Sequence, residues 1–89
     1  MTYAIAYNPY CQKQIAKASS KNPVLENIIR NKIQELSQNP LHYKPLKYAL
    51  KGERRVHILK SFVLIFSVDE NAKTIVLLSF EHHDNAYRR

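Results

Sequence analysis

Two stretches of this 89-residue chain hold side chains able to do chemistry: Arg54-Arg55-Val56-His57, and the end of the chain, His82-His83-Asp84-Asn85-Ala86-Tyr87-Arg88-Arg89. The inventory is cations, imidazoles and phenols. His42, His57, His82, His83 and Cys11 show none of the C-x-x-C or H-x₃-H spacings of zinc sites. The carboxylates are too few and too scattered to hold Mg²⁺. No glycine-rich phosphate loop or serine nucleophile elbow is present. Such a set suits one reaction, the in-line attack of an RNA 2′-hydroxyl on its own adjacent phosphate. That attack needs a base for the 2′ proton, an acid for the leaving 5′ oxygen and a cation on the phosphate. Histidine serves as acid or base near neutral pH, and the arginine fork donates parallel hydrogen bonds to a phosphate. DNA has no 2′-hydroxyl and is not cut this way. A lone histidine is commonly an ordinary surface or structural imidazole; the whole constellation, together with the charge, argues for a site.

Strand periodicity selects among these residues. Arg55 and His57 are two apart and share one side of a strand, whereas Arg54 and Val56 share the other. If the last strand pairs beside the Arg55 strand or its hairpin partner, His82 or His83 comes near Arg55 and His57. The sequence leaves open which of the two histidines does so.

Fourteen Lys and Arg against seven Asp and Glu leave a net charge of +7. That excess favours polyanionic partners through steering and counterion release. It is concentrated as well: Lys44, Lys47, Lys51, Arg54, Arg55 and Lys60 face only Glu53 between Leu41 and Lys60.

The elements that must position these groups are legible in outline. Tyr3, Ile5 and Tyr7 alternate with smaller residues, as in an initial strand. Asn8-Pro9 and Asn22-Pro23 read as an N-cap followed by proline in the first helical position. Asn39-Pro40 ends a helix, because the residue before proline is pushed out of helical space. Cys11, Ile15 and Ala18 form a modest stripe on the first helix; Leu25, Ile28, Ile29, Ile33 and Leu36 form a full apolar face on the second. Glu26 sits four residues before Arg30, a pairing that supports the exposed side. Extended segments follow: a short one at Lys47–Ala49, then Arg54–Ile58, Ser61–Val68 and Thr74–Phe80. The middle segment is apolar on both sides, the mark of a central strand. The turn Asp69-Glu70-Asn71-Ala72 joins the last two as an antiparallel hairpin. The expected order is β-α-α-β-β-β in an α+β fold, with the helices on one face of the sheet. The other face is left as a candidate protein-binding surface.

The length implies a single domain spanning 1–89, with room for a small two-layer core but no deep cavity. Cys11 cannot form an internal disulfide and reads as a small buried apolar residue. The N-terminus lacks the basic and apolar regions of a signal peptide, and no apolar run approaches the ~20 residues of a membrane span. A soluble, cytoplasmic protein without membrane association is expected.

Asn39-Pro40, Lys44-Pro45-Leu46, Leu50-Lys51-Gly52, Arg54-Arg55-Val56-His57, Phe62 to Phe66 and Glu81-His82-His83-Asp84-Asn85-Ala86-Tyr87 occur in an order and spacing that resembles the RelE/ParE superfamily of type II toxin-antitoxin toxins, and its RelE-like branch in particular. Each motif is weak alone, but with the two upstream helices the similarity covers the whole chain. The resemblance implies the RelE-like fold, with an antiparallel-rich sheet, two N-terminal helices on one face and a short C-terminal tail. It also implies cleavage of messenger RNA on the ribosome without metal or other cofactor, inhibiting translation. By the same resemblance, Arg55 and His57 bind and activate the substrate, His83 and Tyr87 match the family's C-terminal cation and tyrosine, and His82 is an adjacent candidate. Lys44, Lys47, Lys51, Arg54, Lys60 and Arg88 are the expected RNA contacts. A small RelB-like antitoxin would cover this surface in a hetero-oligomer. One departure stands out: many relatives carry an arginine where this chain has Val63. The phosphate charge then falls to Arg54, Lys60 or Arg88. The alternative implied by the same superfamily is a ParE-like gyrase inhibitor or a catalytically weak nucleic-acid-binding homologue, which needs no catalytic set.

Overall fold

The computed structural model describes residues 2–43 and 53–83. Strand β1 (Ala4–Tyr7) leads into helices α1 (Pro9–Ser19) and α2 (Pro23–Gln38), then a 3₁₀ turn (Pro40–His42), then strands β2 (Glu53–Ile58), β3 (Phe62–Asp69) and β4 (Thr74–His82). The order and both helices are as the sequence patterns predict. The segment Lys47–Ala49 lies outside the described residues.

The helices begin where their asparagines dictate. Asn8 Oδ1 accepts from the Tyr10 amide at 2.8 Å, and Asn22 Oδ1 accepts from the Leu25 amide at 3.1 Å. Each satisfies a helix-start donor that has no intrahelical partner. Pro9 and Pro23 follow directly, where a missing N–H costs nothing. The α2 stripe buries Leu25, Ile29 and Leu36, with Ile28 and Ile33 packed at its margin. Glu26 and Arg30 pair at 3.8 Å on its exposed side, which is worth little in water. On α1, Cys11 is fully buried, and its burial pushes the thiol pKa up to about 11.

The sheet runs β1-β4-β3-β2, with β1 parallel to β4 and the other neighbours antiparallel. The first and last of the described strands thus lie side by side. One face packs on the helices through Val56, Ile58, Leu64, Phe66, Ile75, Leu77 and Phe80. Each large side chain among them contributes about 1.5–3 kcal/mol by leaving water.

Strand β4 does not alternate evenly. Ile65 pairs with Ser79 but Phe66 pairs with Leu77, so Leu78 is an extra residue, a β-bulge. The apolar pattern demands it. Ile75, Leu77 and Phe80 all belong to the helix-side core, yet Leu77 and Phe80 are three apart, an odd spacing that a regular strand would split between its faces. The bulge restores Phe80 to the core and reverses the facing of every residue after it. Strand β4 also runs to His82, beyond the Phe80 expected from the pattern. The hairpin turns each hold one non-glycine residue at positive φ, Leu59 (56°) and Lys73 (50°).

Candidate active site

On the side of the sheet away from the helices, three strands contribute one residue each to every row. His57 on β2 pairs with Val63 on β3, which pairs with Glu81 on β4; one row along, Arg55 pairs with Ile65 and Ile65 with Ser79. Paired residues of neighbouring strands share a face, so Arg55, His57, Val63 and Glu81 lie together. His83, two residues past Glu81, joins them: its ring centroid lies 5.4 Å from that of His57, with the planes inclined by 31°. Its backbone N–H donates to the Ser61 carbonyl at 2.6 Å, which fastens the end of β4 to the β2–β3 turn. For His57 the conditional expectation from the sequence is met through β3, which lies between β2 and β4.

The bulge decides which histidine arrives. Without Leu78 as the extra residue, Glu81 and His83 would share the face of Leu77, and His82 would face His57. With it, His82 pairs with Phe62 on the helix side and meets that ring edge-on at 5.9 Å. There it lines a shallow groove of about 320 Å³ with Gln14, Lys17, Phe62 and Phe80. His82 is therefore set apart from the His57–His83 pair.

The two adjacent arginines part in the same manner. Arg55 is half-buried on the histidine side. Arg54 pairs with Phe66 on the helix side, and its Nη1 donates to the Tyr43 carbonyl at 2.7 Å. Tyr43 lies edge-on to Phe66 with centroids 6.1 Å apart, and its hydroxyl donates to Glu35 Oε1 at 3.2 Å. Burial first, then the Glu35 carboxylate, raise the Tyr43 phenol above its ordinary pKa. Arg54 thus ties the segment after α2 to the sheet. Lys60 is exposed in the turn that carries Ser61. Lys44, Lys47, Lys51, Tyr87 and Arg88 lie outside the described residues.

Val63, at the position where many relatives carry arginine, is fully buried. It forms an apolar floor between His57 and Glu81. The carboxylate in this row is a residue that strand periodicity alone did not single out; its facing depends on the bulge, whose signal is the Leu77–Phe80 spacing. Among the described residues, no three of His, Cys, Asp and Glu gather as a metal-binding group. The arrangement places one guanidinium, two imidazoles and one carboxylate around a small apolar floor, which suits proton transfer beside a bound anion.

Comparison with known proteins agrees with this architecture. Residues 5–87 match the family of the ParE toxin of type II toxin-antitoxin systems. A chain of Methanocaldococcus jannaschii, named a toxin, RelE4, by assignment only, is 45% identical over 87 residues, covering 98% of this chain and 93% of that one. The toxin–antitoxin complex RelBE2 from Mycobacterium tuberculosis contains a chain that superposes with a TM-score of 0.76 at 21% identity, covering 93% of this chain and 100% of that one. A YoeB/ParE toxin from Agrobacterium tumefaciens gives a TM-score of 0.79 at 12% identity, covering 90% and 98%. At such identities the two structures speak for the fold, and the family match and the archaeal relative for descent. The chain belongs to the RelE/ParE superfamily of type II toxin-antitoxin toxins.

Proposed function

We propose that this toxin is a ribosome-dependent messenger RNA endoribonuclease that works by metal-free 2′-hydroxyl attack and thereby inhibits translation. The observation that carries the reading is the His57–His83 pair, 5.4 Å between ring centroids on the face of Arg55. Two imidazoles so placed supply the base and the acid that the reaction needs. One takes the 2′ proton as the 2′ oxygen bonds to phosphorus; the other gives a proton to the 5′ oxygen as the P–O5′ bond breaks. The products are a 2′,3′-cyclic phosphate and a free 5′-hydroxyl. Arg55 holds the non-bridging phosphate oxygens, which gather charge in the transition state. Tyr87 assists at the reacting nucleotide, and Lys44, Lys47, Lys51, Lys60 and Arg88 track the RNA backbone. A RelB-like antitoxin covers this face in the resting complex, in a cytoplasmic setting.

Primer extension on a translated message tests the reading. Wild-type protein is expected to give discrete stops that a 2′-deoxy nucleotide at the cleaved position removes. Intact message on active ribosomes would sink it. The second reading, a gyrase poison, draws on the ParE toxin family that residues 5–87 match. It predicts inhibition of DNA supercoiling that survives His83→Ala.

A further inference from the structure

The face that holds Arg55, His57 and His83 also holds Glu81, whose carboxylate the proposed chemistry does not use. A carboxylate repels the phosphate that the cations of this surface would bind, so its place there calls for a different job. Glu81 is half-buried, and its cross-strand neighbour is the fully buried Val63. Two residues on, just past the end of its strand, comes His83; across the sheet, beyond Val63, lies His57. Neighbouring strands are about 4.8 Å apart, so a glutamate side chain at this position is long enough to reach across Val63 toward the two rings. The bulge at Leu78 brings this about, since it turns Glu81 and His83 to the same side together.

We propose that Glu81 is the positioning carboxylate of the His57–His83 pair. It accepts a hydrogen bond from a ring N–H, which fixes that ring's plane and tautomer and leaves its second nitrogen for the RNA. An imidazole with one nitrogen held in this way presents a defined donor or acceptor to its substrate. Glu81 itself does not touch the reacting atoms. The consequence for rate rests on the endoribonuclease reading; the geometry of the pair does not.

The test uses the free, full-length protein labelled with ¹⁵N in its histidine rings, as wild type, Glu81→Gln and Glu81→Ala. Glutamine keeps an acceptor oxygen at the same reach, whereas alanine removes it. In Glu81→Ala the ring-nitrogen shifts of His57 or His83 are expected to change toward an averaged tautomer mixture, and in Glu81→Gln to stay near wild type. In single-turnover cleavage, Glu81→Ala is expected to lower kcat about tenfold or more while KM stays within about twofold, with Glu81→Gln recovering most of the loss. Ring shifts unchanged in Glu81→Ala would overturn the proposal, whatever the cleavage shows. Equal kcat losses in both variants with unchanged shifts would also overturn it, by making Glu81 a group that meets the RNA directly. Absence of cleavage by the wild type would remove the endoribonuclease reading and leave the ring spectra to decide the positioning role.

Discussion

Val56, Leu64 and Phe80 on one side of the sheet, and His57, Val63 and Glu81 on the other, are immediate neighbours along the same three strands. The first set is closed under α1 and α2. The second carries an imidazole and a carboxylate around one apolar residue, with Arg55 and His83 beside them. The register is set by the first set, because a slip of one residue would expose the whole core side. The polar face inherits its geometry from that register. The bulge at Leu78 is where this dependence is plainest: it keeps Phe80 in the core and, as a consequence, sends His83 to His57 and His82 away.

The largest expected effect tests this division directly. His83→Ala should lower cleavage by about 10²–10⁴-fold, the ordinary contribution of a proton-transferring side chain, with the melting temperature unchanged. The backbone N–H that binds Ser61 is kept in that variant. His82→Ala, one residue away on the other face, should stay within about threefold of wild type, since no proton-transfer role is lost. Equal losses in the two variants would erase the distinction between the faces. On the core side the effect should appear as stability: Phe66→Ala is expected to cost about 3–5 kcal/mol in denaturant unfolding, because Phe66 is fully buried in the core.

Val63 is the position where the two sets of demands meet, being an apolar, buried residue on the polar face. Val63→Arg supplies the charge that many relatives carry there. It should lower stability by about 1–3 kcal/mol, as enlarged side chains do in a packed site, measured by urea unfolding. A cleavage gain with no loss of stability would show that the floor accepts a cation, and that Val63 is not needed as packing.

Much of this arrangement is visible in the sequence, for physical reasons that differ by element. Asn8-Pro9 and Asn22-Pro23 encode helix starts locally, and the Leu25–Leu36 stripe encodes a face by its period. The pairing of Arg55 with His57, and the separation of Arg54, follow from strand alternation alone. The parallel placement of β1 beside β4 does not, since it depends on how two strands far apart in sequence meet in space. The choice between His82 and His83 was equally closed to a strict period-two reading, which has no term for an inserted residue. The facing of Glu81 is hidden from the sequence for the same reason. Arg54 was legible as a cation but not as the partner of the Tyr43 carbonyl, a contact between residues far apart in sequence.

The smallest expected effect concerns the turn that joins the β2 and β3 ends of both faces. Leu59 sits there at φ 56° and is 56% exposed. A leucine in left-handed backbone pays about 1–2 kcal/mol for the clash of its Cβ with the following carbonyl, and its exposed side chain recovers little by burial. Leu59→Gly removes the clash but frees the unfolded chain, which offsets about 0.4–1 kcal/mol. A net gain of a few tenths to about 1 kcal/mol is expected in urea unfolding. Cleavage should be unchanged, because the turn's contribution to the site is the Ser61 carbonyl that binds His83, and the substitution leaves that carbonyl in place. A more stable variant with lost cleavage would overturn this assignment, and would mean that the Leu59 side chain itself meets the RNA or the ribosome. The active face would then extend past the strands into the turn.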